Sequence, residues 1–145
     1  PDAQFVIFDE EEIANIESSR LDVEIEAYEE FMNTSPEERR GMLKLFGKRG
    51  LDTANDAIVR TTLAKIMKED PKKFISIKRD KKLGMRILIE DFLISGVINK
   101  KGNYYSNGDE PIGNSVDEVI MYLEDPRNQS ILIALKSKLK STKKV

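Results

Sequence analysis

Three of the five prolines in this 145-residue chain stand directly behind a residue that caps helices: Ser35-Pro36, Asp70-Pro71 and Asp125-Pro126. Proline has no amide hydrogen and a fixed φ, so it suits the first helical position and breaks a helix further in. A serine or aspartate before it can accept a hydrogen bond from the exposed amides of the first turn. Each pair therefore marks a helix start, and Glu38, three residues beyond Ser35, completes a capping box. A chain punctuated in this way is expected to fold as a succession of helices.

The stretches between these marks agree. The helix begun at Ser35 ends near Gly47, before the basic loop Gly47-Lys48-Arg49-Gly50. Asp52 or Thr53 is expected to cap the next helix, which runs to about Lys68 with Val59, Leu63 and Ile66 inward. Asp70-Pro71 opens a short helix through Phe74, Ile75 and Ile77, and Asp80 is the candidate cap of the one after it. There Met85, Leu88, Ile89, Phe92 and Leu93 form a broad apolar face, and Gly96 is the expected stop. Val97-Ile98-Asn99-Lys100 and Asn103-Tyr104-Tyr105 flank Lys101-Gly102 and read as a β-hairpin. Pro111-Ile112-Gly113 is a connecting segment or a third short strand. Ser115 and Glu118 make a second capping box for a helix to Leu123, and the last helix places Ile131, Leu135 and Leu139 on one face.

The N-terminal segment has a different character. Phe5-Val6-Ile7-Phe8 is a short apolar run, too brief for a helix, which reads as a strand or an anchoring segment. Glu10 to Met32 reads as a helix with acidic first turns, which suits the positive end of the helix dipole. Leu21, Ile25, Tyr28 and Met32 recur at helical spacing as one apolar stripe. Ile13 and Ile16 form a second, so a bend is expected near Ser18-Ser19.

Charge is segregated along the chain. Residues 1–38 hold 13 acidic residues against one basic, and residues 39–107 hold 17 basic against 7 acidic. Residues 108–145 hold six of each, with Lys136, Lys138, Lys140, Lys143 and Lys144 near the end. The acidic segment is suited to lie on the basic middle of its own chain or of another copy, or on a different basic protein. The alternative is that both are solvated helix faces.

Residue types that carry chemistry are sparse. The chain has no cysteine and no histidine, which removes thiol nucleophiles, thiolate metal sites and the side chain most used for proton transfer near neutral pH. The pairs Glu11-Glu12, Glu29-Glu30 and Glu37-Glu38 point in different directions on a helix and do not converge. Gly41, Gly47 and Gly50 do not fit a phosphate-binding loop, and no nucleophile elbow occurs. No catalytic residue, metal ligand, cofactor or small-molecule substrate is therefore expected. No apolar run approaches the length of a membrane span and no secretory signal is evident, so a cytoplasmic protein is expected.

The block Asp70 to Tyr105, helices followed directly by a hairpin, resembles winged-helix domains. Ile94-Ser95-Gly96-Val97-Ile98 leading into Gly102-Asn103-Tyr104-Tyr105 resembles the end of a helix running into a wing. That resemblance implies DNA facing Lys81, Lys82 and Arg86, with Lys100 and Lys101 at the wing tip. Glu90 and Asp91 on the same helix would repel phosphate. The block from Gly102 to Gln129, with Ile112-Gly113, Asp117-Glu118-Val119-Ile120 and Tyr122 to Gln129, is similar to small proteins of large tailed bacteriophages. It implies a virion-associated or assembly role, placing the protein in the host cytoplasm or the virion.

The expected fold is mostly α with one small β-hairpin: an acidic N-terminal arm over residues 1–33, then a winged-helix-like helical domain over residues 34–145 with the hairpin near 97–106 and a lysine-rich last helix. The expected function is non-catalytic assembly or adaptor work, by protein partners or self-association. Phe5, Val6, Ile7, Phe8, Leu21, Ile25 and Tyr28 are the candidate partner-binding residues. The alternative is a nucleic-acid-binding regulator using Lys81, Lys82, Arg86, Lys100 and Lys101. The two separate by whether substituting Lys81, Lys82, Lys100 and Lys101 reduces binding, or deleting Pro1 to Glu30 loses a complex.

Overall fold

The computed structural model describes residues 9–143. Within them the chain forms α1 (Glu10–Met32), α2 (Pro36–Leu45), α3 (Asp56–Glu69), α4 (Pro71–Lys78) and α5 (Leu83–Ser95). There follow β1 (Asn99–Lys101), β2 (Tyr104–Asn107), β3 (Glu110–Gly113), α6 (Val116–Glu124) and α7 (Gln129–Lys143). A single 3₁₀ turn, Pro126–Asn128, leads into α7. The fold is thus mostly α with one small antiparallel sheet.

Local chemistry explains most of the boundaries. Asp9 accepts from the Glu12 amide, Ser35 from Glu38, Asp70 from Lys73 and Ser115 from Glu118. Gly96 ends α5 at φ +79°, with the Val97 amide bonded back to the Phe92 carbonyl. This left-handed closure favours a residue without Cβ.

Four features differ from expectation, two of them helix starts. α3 starts at Asp56, capped by Asn55 through the Ile58 amide at 2.9 Å, and not at Asp52 or Thr53. The cause is Arg40, whose guanidinium donates to the carbonyls of Leu51, Asp52 and Ala54 and to the Asp56 carboxylate. Those bonds hold the approach as a loop and delay the helix. α5 begins at Leu83 with Lys82 before it and no side-chain cap, so Asp80 does not serve that role. α1 is one continuous helix through Ser18-Ser19, since two serines cost only about 0.5 kcal/mol each in a helix of 23 residues. Met67, with Val59 and Leu63, completes the inward face of α3, while Ile66 is half-buried.

The chain divides into two compact units. The first comprises Pro1–Leu43 with Lys48–Asp80, and the second Lys44–Gly47 with Lys81–Val145. In the block that resembles a winged helix, α4 therefore groups with the first unit, and α5 with the strands groups with the second.

In the first unit α1 packs on α3 and α4. Ala27 and Phe31 of α1 are buried, together with Met42, Leu43, Val59, Leu63, Met67 and Phe74. Phe31 lies 6.3 Å from Phe74 between ring centroids. The guanidinium groups of Arg39 and Arg60 each stand 5.8 Å from its ring centroid. Lys78 pairs with Glu38 at 3.0 Å, tying α4 to α2.

In the second unit the strands run in the order β1-β2-β3, antiparallel throughout. Two-residue loops, Gly102-Asn103 and Gly108-Asp109, join them, with φ +60° and +61° at the glycines. Glycine first with a positive φ is the arrangement of a type II′ hairpin turn. Pro111 is tolerated because β3 is an edge strand, and a bulge there leaves Ile112 opposite the step from Ser106 to Tyr105. The core joins Ile89, Phe92, Ile98, Tyr105, Ile112, Val119, Ile120, Leu123, Leu135 and Leu139. Tyr105 thus packs inward while Tyr104 is half-buried.

Candidate interaction surface

α1 has apolar residues on two sides. On a helix of 3.6 residues per turn, Val23, Ala27 and Phe31 fall on one side, and they are the residues the first unit covers. Leu21, Ile25, Tyr28 and Met32 fall within about 60° of one another on a different side. These four are 54%, 46%, 46% and 67% exposed. Ile25, Tyr28, Glu29, Met32 and Asn33 outline a shallow hollow of about 650 Å³ on this outer side. Every residue from Glu10 to Asp22 is exposed, so the first half of the helix offers its whole circumference to solvent.

The charges on α1 fall into two groups. Glu26 and Glu30 turn toward Arg79, which reaches them at 3.3 Å and 3.1 Å. The Glu30 hydrogen bond is the main reason the Arg79 guanidinium is held above its ordinary pKa. Glu17, Asp22, Glu24 and Glu29 border the outer apolar row and have no ion-pair partner among the described residues.

Of the partner-binding candidates, Leu21, Ile25 and Tyr28 are brought together on this row, and Met32 extends it. Phe5, Val6, Ile7 and Phe8 lie outside the described residues. Heptad positions counted from Leu21 place Glu17, Asp22, Glu24 and Glu29 of the acidic segment beside this row. Ala27 and Phe31, which belong to neither apolar stripe expected from the sequence, are core.

The basic candidates all fall in the second unit but are not gathered into one patch of unpaired charge. Lys82 pairs with Glu124 at 2.8 Å and Arg86 with Asp117 at 2.6 Å, so carboxylates of α6 meet two of the five. Lys100 stands 5.7 Å from the Tyr105 ring centroid. Lys101 donates to the Gly108 carbonyl at 3.0 Å, and Lys81 is exposed.

No group of three carboxylate, histidine or cysteine residues that could hold a metal occurs among the described residues. Asp125 is held down to about 2 by hydrogen bonds from Arg127, the reverse of what a general acid needs. No helix among the described residues is long and apolar enough to cross a membrane. No protein-family model matches the chain, and no curated protein or solved structure matches it.

Proposed function

We propose that the protein is a non-catalytic assembly or adaptor protein that binds protein partners through α1. One observation supports this above the others. Four large apolar side chains line the outer side of a helix whose inner side is already engaged in a core. Such a row gains roughly 25 cal/mol for each Å² of apolar surface that a partner covers. Single exposed apolar residues are ordinary, but a contiguous row bordered by charge marks an interaction surface. The resemblance of the Gly102 to Gln129 block to small proteins of large tailed bacteriophages makes a virion-associated component the setting of this proposal.

The test is a photo-reactive amino acid placed at Ile25 and, separately, at Ile133 on α7, in the cell or particle where the chain is naturally made. A discrete protein adduct from Ile25 and none from Ile133 is expected. No adduct from Ile25 would overturn the reading. Nucleic-acid adducts from the same group placed at Lys81 or Lys101 would establish the regulator in its place.

A further inference from the structure

The spacing of the outer row restricts the class of partner. Leu21, Ile25, Tyr28 and Met32 follow one another by four, three and four residues, the alternation of d and a positions in a heptad. The row spans about three turns, or ~17 Å at 1.5 Å per residue. In that frame Asp22 and Glu29 occupy e positions, Glu24 occupies g with Glu17 at the g one heptad earlier, and the remaining g is Phe31, which is buried in the first unit. Residues at e and g flank the seam and meet the flanks of the facing helix, so their charges select the partner and its orientation. Glu17, Asp22, Glu24 and Glu29 are acidic and exposed. The exposed flanks of the row therefore carry one sign of charge.

A second copy of this chain does not fit it. Two α1 helices facing each other would set acid against acid in either orientation, a repulsion used in coiled coils to exclude self-pairing. Nor, among the described residues, does another helix offer a complementary row. Beyond α1, the large apolar residues that stand exposed among the described residues do so singly: Ile58 on α3, Ile94 on α5, Met121 on α6 and Ile133 on α7. We infer that the outer row of α1 docks an amphipathic helix of a different chain, apolar at its a and d positions and bearing lysine or arginine at e and g. This inference rests on the reading of α1 as a protein-binding helix and adds the chemistry of what it binds.

Two designed peptides test it, both with leucine and isoleucine at a and d, one with lysine at e and g and the other with glutamate. Each is titrated into the full chain by calorimetry at moderate salt. The lysine peptide is expected to bind about tenfold or more tightly than the glutamate peptide, as several e–g pairs together allow. The double variant Leu21→Ser with Ile25→Ser is expected to lose that binding with unchanged circular dichroism. A chain with Glu17→Lys, Asp22→Lys, Glu24→Lys and Glu29→Lys should prefer the glutamate peptide instead. Equal binding of both peptides, binding of neither, or lysine-peptide binding that survives loss of Leu21 and Ile25 would each overturn the inference. These failures are separable from failure of the wider reading. A protein adduct at Ile25 with no peptide selectivity leaves protein binding standing and removes the basic helix. Selective peptide binding with no adduct in the cell shows that the row accepts a basic helix, while the wider reading and the natural partner inferred from it both fail.

Discussion

Gly113 is the point where a strand and a helix approach too closely for any side chain. A Cβ built there would lie 2.9 Å from the Val119 amide nitrogen and 2.9 Å from the Glu118 Cβ. Backbone cannot step aside as the end of a flexible side chain can, so Gly113→Ala should force β3 and the start of α6 apart. The expected cost is about 1–3 kcal/mol, the usual range for overpacking, read as a lower melting temperature. Gly84 in α5 is the control, because nothing stands within 4 Å of a Cβ there. Replacing it with alanine should stabilise by up to about 1 kcal/mol. Asp125 supplies a pH signature. Its carboxyl sits at about 2 in the folded chain against an ordinary 3.8, because Arg127 donates to it from both its guanidinium and its amide. The unfolded chain therefore takes up this proton first as pH falls. The contribution of Asp125 to stability is whole above the ordinary value and declines as pH drops toward 2. Following the carboxyl carbon by nuclear magnetic resonance should give a midpoint near 2, and a midpoint near the ordinary value would refute the pairing. Asp125→Asn should flatten this part of the stability profile.

At the scale of elements, α1 separates two kinds of apolar residue by substitution. Phe31→Ala removes a ring packed near Phe74 and beneath two guanidinium groups, and should cost about 3–5 kcal/mol. Leu21→Ser, on the outer row, should change stability by no more than about 0.5 kcal/mol. Chemical denaturation of both variants measures the contrast, and a large cost at Leu21 would mean that the row is packed after all. The same helix shows what sequence reveals and what it conceals. Its extent and the spacing of Leu21, Ile25, Tyr28 and Met32 are local facts, readable without a structure. Which side faces inward is not local, because it depends on where Phe74 and Val59 arrive from elsewhere in the chain. Caps at Ser35, Asp70 and Ser115 were readable for the same reason, each needing only its next three residues. Asn55 was not, since the shift from Asp52 is imposed by Arg40 from another helix. The Gly108-Asp109 turn has no clear local signal, because β3, Glu-Pro-Ile-Gly, is too short and polar to show alternation.

At the scale of the whole molecule, the linear order of the chain and its division into units do not coincide. Lys44–Gly47 groups with the second unit although Pro1–Leu43 and Lys48–Asp80 on either side form the first. Lys44 brings a partner with it: its ammonium lies 2.6 Å from the Asp91 carboxylate, with the two side chains 18% and 14% exposed. A fragment of residues 81–145 keeps Asp91 and lacks that cation. It should be less stable than the same unit in the full chain, by about 1–3 kcal/mol for the stranded carboxylate. Asp91→Asn should recover part of the loss in the fragment while weakening the intact protein. Urea denaturation of the four proteins decides it, and a substitution without opposite effects in the two backgrounds would refute the argument. The charge segregation so evident in the sequence gives no hint of this, since the boundary between acidic and basic segments falls inside α2. The interleaving also bears on dissection. No single cut in the chain separates the two units, because a break after Asp80 leaves Lys44–Gly47 on the far side from the residues they group with.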